Sequence, residues 1–474
     1  MSLIQIGVIS LICVLFRLIF NKNHLDWFVL ILCFFVLLWL QPISTIRSYD
    51  FWIPLISITL GIISWFIIVK KDEKEKNENI STLFFIFILV IATSLLRFLP
   101  FLKFQKIYSI PKLFWVIVYL ILISMLLYII NIYKQGKYLL WFVTGLIIFV
   151  FVLLKNELIS LKTSYFLRKI NDQSTNLATA SEITWIGYSY FSFRLIHTII
   201  DSQKKDGFYV SLKSYLIYLF YFPALLAGPI EKINNFISEI TSSPRSRNED
   251  FIDAGERITH GLFQKFIIAD TLAKISLSTK LVGDVNSSLW MWILVFTYSF
   301  RIYFDFTGYT NLAIGISRIL GIRLSENFNK PLRSPTLTIF WNNWHITLTQ
   351  WFRAYYFNPM TRALKIKFKS INQKYILGFM QISTMVLIGL WHGISYNFLA
   401  WGAWNGIGLF VQNTASKSIL EKSEKKIPFW QISKFTRAVS ITLTFVFISL
   451  SWVWFAFPNI NSSLQVFGIL FDLK

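Results

Sequence analysis

The sequence predicts an all-α polytopic membrane protein of about 11–13 transmembrane helices, with re-entrant or interfacial helices besides. Three observations predict it. Hydrophobic residues fill 55% of the 474 positions and charged residues only 15%, with a mean hydropathy of +0.56, far too apolar for an ordinary soluble chain. Runs of about 20 apolar residues, enough to cross a bilayer core of roughly 30 Å, recur along almost the whole length. The Lys and Arg residues behind the net charge of +22 sit mainly in short connections between those runs, where retained loops and anionic head groups favour them. Membrane topology therefore accounts for the charge, and no nucleic-acid partner is expected.

Six spans are expected in the first third: Leu3 to Phe20, Trp27 to Ile43, Phe51 to Val69, Ile80 to Leu99, Leu113 to Tyr133 and Tyr138 to Leu154. The first lacks a basic leader and a small-residue cleavage site, so it reads as a retained helix and not as a signal peptide. If each run crosses once, the Lys70 to Lys76 loop and the Lys134 to Lys137 turn share one side, which the distribution of basic residues makes cytoplasmic. The N-terminus then faces outward. Lys103, Lys106 and Lys112 fall on the opposite side and count against this orientation.

Residues 156–182 are polar and read as a connection. Apolar runs then return, interrupted by Gly, Pro and charge, at Ile183 to Ile200, Leu212 to Ile230, Leu289 to Phe306, Tyr375 to Trp391, Asn397 to Val411 and Val439 to Phe457. The domain organisation is thus 1–155, 156–182, a core over 183–458 and a C-terminal segment over 459–474. Phe251 to Ser276 is amphipathic and suits an interfacial helix. Cys13 and Cys33 lie in apolar runs without ligand spacing and read as packing residues. No pair or cluster of histidines has metal-ligand spacing, so no metal site is expected. Gly315, Gly321, Gly402, Gly406 and Gly408 read as sites of close helix packing.

Ionisable residues inside apolar segments are functional candidates by default. Asp305, in Arg301-Ile302-Tyr303-Phe304-Asp305, reads equally as one half of an ion pair with Arg301 or as a residue of a hydrated substrate path. The segment Trp341-Asn342-Asn343-Trp344-His345, continuing to Trp351 and Arg353, mixes indoles, amides, an imidazole and a guanidinium. It fits neither a clean span nor a solvated loop, so it reads as re-entrant or interfacial. For its three indoles an aromatic belt is the simpler reading and substrate contact the alternative. His392 ends an apolar run, after Trp391, and is followed by Gly393, which removes bulk beside the ring. Imidazole titrates near neutrality, so His392 suits taking a proton from an acceptor hydroxyl and returning it to a leaving thiolate. Such chemistry also needs an oxyanion donor, and Asn342, Asn343 or a backbone N–H near Gly393 are candidates. His24, His197 and His260 read as packing or proton-relay residues.

Several separated motifs then resemble one family, the membrane-bound O-acyltransferases, in its bacterial branch with the alginate O-acetylation and teichoic acid D-alanylation membrane proteins. They are Phe222-Pro223-Ala224-Leu225-Leu226-Ala227-Gly228-Pro229-Ile230, Gly261-Leu262-Phe263-Gln264-Lys265 with Ile268-Ala269-Asp270, Ile302 to Tyr309, Glu326-Asn327-Phe328-Asn329, and the two histidine segments, in family order. The resemblance runs from about Ile183 to Pro458 and implies helices around a central tunnel. It implies that His392 is catalytic, that His345 matters in a less settled role, and that Asp305, Tyr303, Trp341, Asn342, Asn343, Trp344, Arg353 and Trp391 lie along the tunnel.

The implied reaction uses no bound cofactor. An acyl thioester, acyl-CoA or an acyl carrier protein, donates on the cytoplasmic side of a bacterial inner membrane. The acceptor is a hydroxyl of a surface glycan or of an extracytoplasmic partner protein; acetyl is the first expectation and D-alanyl to teichoic acid the second. A transporter or flippase of lipid-linked glycan is the competing class. Three positions depart from the family pattern: Asn343 stands where a basic residue is common, Ala354 where Asp follows the arginine, and Ala456 where the C-terminal motif has Arg.

Overall fold

The structure, a computed structural model, describes residues 2–19, 24–42, 44–74, 76–98, 110–132, 137–204, 208–242, 248–422 and 428–473. Lys103, Lys106 and the Lys134-Gln135-Gly136 part of the basic turn lie outside them. Among the described residues the chain is helical, with only two isolated bridges, Val69 to Phe208 and Phe328 to Trp344. It divides into two compact units: Met1–Leu226 with Glu231–Phe251 and Ile316–Arg323, and Ala227–Ile230 with Ile252–Gly315 and Leu324–Lys474.

The first unit opens with the six expected helices, α1 (Leu3–Ile19), α2 (Leu25–Leu40), α3 (Tyr49–Ile68), α4 (Asn77–Leu95), α5 (Leu113–Ile132) and α6 (Lys137–Lys155). In α5 only 28% of the apolar window is buried within the protein, and Phe114, Trp115 and Tyr128 are exposed. An apolar surface of that extent needs lipid as its solvent.

The polar connection is more ordered than its composition suggests. It forms α7 (Glu157–Ile170), bent 94° from the helix before it. The Asn156 side chain caps the new helix by accepting from the Ile159 N–H at 3.1 Å. Helix α7 turns Ser160, Ser164 and Arg168 inward and leaves Leu158, Leu161 and Phe166 exposed, an arrangement suited to lying along a membrane surface. Arg168 forms a buried ion pair with Glu182, which also accepts from Ser164 and Thr45.

After α8 (Tyr188–Lys204), the expected span from Leu212 to Ile230 is only the nine-residue α9 (Leu212–Phe220) and a 3-10 turn at Phe222–Ala224. Pro223 has no N–H to continue the ladder. The carbonyls of Tyr218, Leu219 and Ala224 around the helix end accept from the buried Arg194 guanidinium at 2.9–3.2 Å, three bonds from its two terminal nitrogens.

The second unit carries α10 (Asn248–Leu262, from Ile252 on), most of α11 (Ser288–Ile319), α12 (Leu337–Asn343), α13 (Ile346–Phe352), α14 (Gln373–His392), α15 (Tyr396–Lys422), α16 (Lys434–Ala456) and α17 (Ile460–Leu470). The segment expected to be interfacial continues from α10 through a π-helical stretch, Phe263–Ala269. It packs one side on α11: a Cβ on Gly261 would meet the Gly308 carbonyl at 2.7 Å, and one on Gly315 the Ile258 side chain at 2.7 Å. Its other side exposes Phe263 and Ile267. Helices α14 and α15 meet backbone to backbone, because a Cβ on Gly402 or Gly406 would meet Met385 O or Ile382 Cα at 2.6 Å. Gly321 differs from the expectation; its φ of +78° marks the left-handed turn that follows α11.

Five helices among the described residues are long and apolar enough to span a membrane, six if the bent α6–α7 pair counts once. The larger sequence-based number also includes α1 and α2, apolar but shorter, and α11, whose 32 residues include Arg301, Asp305 and Arg318. The all-α membrane architecture is as expected.

Candidate active site

The histidine break between α12 and α13 is held in place by polar groups at both ends. Thr336 caps α12 by accepting from the Ile339 N–H at 3.1 Å. The helix stops at Asn343, and α13 begins at Ile346. Asn327, fully buried, straps the break: its carbonyl accepts from Ile346 N–H at 2.9 Å and its side-chain oxygen from the Thr347 hydroxyl at 2.6 Å. Thr347 Oγ1 accepts in turn from Ile230 N–H at 3.0 Å. Between the two helices His345 takes a left-handed backbone, φ +45° and ψ +55°, a conformation that costs a non-glycine residue about 1–3 kcal/mol and clusters at functional sites. Its ring is buried, and neither ring nitrogen has a hydrogen-bond partner among the described residues. Burial disfavours the imidazolium and pushes its pKa down to about 3, so His345 is neutral at physiological pH.

His392 is the last residue of α14. Four aromatic rings surround it: Trp391 at 4.6 Å, Phe455 at 4.9 Å, Trp401 at 5.7 Å and Phe398 at 6.0 Å between centroids. Gly393 has extended backbone, so it is not there for a special turn. A Cβ on it would meet the Phe398 ring at 2.5 Å; the space at Gly393 is taken by Phe398.

The two histidines, distant in sequence, line one cavity of about 230 Å³. The Trp391 ring links them, 4.6 Å from His392 and 6.2 Å from His345. Of the other sequence-expected residues, Asp305, Trp341 and Trp344 also line this cavity. The two tryptophans are buried, so they are wall residues and not a membrane-interface belt.

Tyr303, Trp391, Asn342, Asn343 and Arg353 are not on the wall. Tyr303 packs on Trp344 at 6.2 Å. Of the proposed oxyanion donors, Asn342 and Asn343 lie off this wall and the Gly393 N–H is already bonded. Asn342, exposed, accepts from Arg353 at 2.6 Å; Asn343 donates to Ser334 at 3.5 Å; and the Gly393 N–H donates to the Gly389 carbonyl at 3.4 Å.

Asp305 pairs with Lys265 and not with Arg301, which donates instead to Ser276 at 3.2 Å. Lys265 sits in the π-helical stretch of residues 263–269, and Arg353 opens another at residues 353–357. Such insertions re-aim side chains and are common at functional sites. Sequence reasoning missed Lys265 and the wall residues Trp401, Trp452 and Phe455. The Lys265 signal was present, since it belongs to the Gly261 to Lys265 motif, but nothing in that motif names its partner. Among the other histidines, His197 is buried and bonded to the Tyr218 hydroxyl at 2.8 Å, as expected, whereas His24 and His260 are exposed.

The arrangement is a cavity with a largely aromatic wall, one neutral buried imidazole, a second imidazole at a helix end, and the half-exposed Asp305 of an ion pair. Two imidazoles on one wall can take and return a proton. The chain is 28% identical over 293 residues to the probable alginate O-acetylase of Pseudomonas putida, covering 60% of this chain and 55% of that protein. It is 28% identical over 280 residues to the teichoic acid D-alanyltransferase of Streptococcus thermophilus, 56% and 67% covered. It is 27% identical over 368 residues to the peptidoglycan O-acetyltransferase of Helicobacter pylori, 71% and 64% covered. The chain spans about half the length of the alginate O-acetylases it matches. The model of the membrane-bound O-acyltransferase family matches residues 17–451, nearly the whole sequence, and the chain belongs to that family.

Proposed function

We propose that this chain transfers an acyl group, acetyl first, from a cytoplasmic thioester to a hydroxyl of a cell-surface polysaccharide or an extracytoplasmic partner protein. The observation that carries the reading is the shared cavity: His392 and His345 face one chamber with an aromatic wall. His392 acts as the general base on the acceptor hydroxyl and then as the general acid toward the leaving thiolate. His345, neutral and buried, lends a hydrogen bond inside the chamber. The donor is acyl-CoA or an acyl carrier protein, and the N-terminus faces outward from a bacterial inner membrane. D-alanyl transfer is the second reading, favoured by the similarity to a teichoic acid D-alanyltransferase.

The test is complementation of a deletion strain with wild type or His392→Ala at matched protein levels, followed by mass spectrometry of base-labile esters on the cell envelope. A fall of about 10²-fold or more in acetyl or D-alanyl ester, with glycan export unchanged, is expected. Wild-type ester levels in His392→Ala would refute the assignment. Lost glycan export without any change in ester would favour a flippase.

A further inference from the structure

The cavity leaves open what stabilises negative charge on the reacting carbonyl, since the amides that the sequence offered lie off its wall and the Gly393 N–H is bonded to the Gly389 carbonyl. We propose that the indole N–H groups of Trp401 and Trp341 hold the thioester carbonyl oxygen as it becomes an oxyanion. The assignment rests on the acyl-transfer reading above and adds two catalytic residues to it.

Three observations support it. Both side chains line the cavity that holds His392, and both are buried, 1% exposed for Trp401 and 6% for Trp341. Neither Nε1 has an acceptor among the described residues. An indole N–H is a donor only, and a buried donor ordinarily has a partner. Three other tryptophans find acceptors, Trp65 at Val210 O at 2.9 Å, Trp185 at Ser57 Oγ at 2.7 Å and Trp404 at Phe447 O at 3.3 Å, while Trp454, off the cavity wall, shares the lack. Finally, the rings are placed beside the base. Trp401 stands edge-on to His392 at 5.7 Å, and Trp341 stands edge-on to Trp401 at 5.6 Å. A carbonyl attacked next to His392 therefore lies beside two donors lacking an acceptor.

The step balances as follows. The acceptor hydroxyl oxygen attacks the thioester carbon, a C–O bond forms, and the carbonyl π pair moves onto oxygen while His392 takes the hydroxyl proton. The two indoles donate to that oxygen. The π bond then re-forms, the C–S bond breaks with its pair going to sulfur, and the His392 imidazolium protonates the thiolate. An ester and a free thiol result. Because the indoles only donate, they stabilise the charge without entering the proton account, and donors fixed in a packed aromatic wall suit that task.

The test replaces each tryptophan with β-(3-benzothienyl)alanine, which keeps the bicyclic shape and lacks only the N–H, and in parallel makes Trp401→Phe and Trp341→Phe. Each protein is induced in the deletion strain, and the initial rate of appearance of base-labile acetyl and D-alanyl esters is measured at matched protein levels. The expected result is a fall of about 10²-fold for each isostere, with the pH dependence of the residual rate unchanged because His392 is intact. Wild-type rates with both isosteres, in a strain where transfer still depends on His392, would overturn the indole assignment and leave the acyl-transfer reading standing. Absence of any His392-dependent transfer by the wild type would overturn both.

Discussion

His345 holds a left-handed backbone that its own side chain does nothing to favour, so the cost is borne by neighbours. Asn327 is the principal one, through the bonds it makes to Ile346 and Thr347. Asn327→Ala keeps the backbone bond to Ile346 but removes the side-chain oxygen that accepts from Thr347, so it is expected to lose about 1–3 kcal/mol and to lower activity with it, read as a drop in the thermal midpoint of the purified protein. Asp305→Asn should behave differently. The Lys265 and Asp305 side chains are 26% and 47% exposed, and a pair that open to solvent is worth about 1 kcal/mol or less. Its melting midpoint should stay near wild type, so any loss of transfer reports on function. The Asn327 motif and both histidines were visible as residues in the sequence. Their roles as strap and chamber wall were not, because hydrogen bonds between distant residues leave no periodic trace.

At the scale of elements, α14 and α15 stand close enough that glycines form the seam. Gly406→Val would drive a branched side chain into Ile382 Cα, where even a Cβ comes to 2.6 Å. Overpacking of this kind costs about 1–3 kcal/mol, and it would act on both helices that carry His392 and Trp401. Lower thermal stability together with reduced transfer is expected, whereas Gly7→Ala, which meets nothing within 4 Å, should change neither. Helix positions were legible from apolar runs where the run was uninterrupted, as in α1 to α6. The reading failed at Leu212 to Ile230, where hydropathy alone continues past Pro223 but the hydrogen-bond ladder does not.

Across the first unit, the hydrogen-bonded cluster of Arg168, Glu182, Ser164 and Thr45 ties the surface helix α7 to the segment that follows α2. The Arg168 hydrogen bond holds the Glu182 carboxyl down at about 2. A depressed carboxylate stabilises fully above its ordinary value of 4.5, and that contribution is lost as pH falls from there through about 2. Glu182→Gln should lower stability near neutrality by removing the charge partner of Arg168. It should also flatten the acid side of the stability curve, measured by thermal melting between pH 7 and pH 3. The polar composition of residues 156–182 announced a connection, but a helix with its polar face inward and its apolar face outward inverts the usual pattern and is easily read as loop.

The sequence by itself determined the class of this protein: a multi-pass, all-α membrane protein with His392 and His345 in an ordered set of family motifs. Composition, apolar run length and motif order are local properties, and local properties survive reading along a line. Only the tertiary structure decided that the two histidines share a chamber with Trp391 between them. It likewise decided that Lys265 is the partner of Asp305, that Gly393 makes room for Phe398, and that Asn342 and Asn343 lie off the cavity wall. Each of these depends on which helices pack together, and that is settled by side-chain fit between segments far apart in the chain.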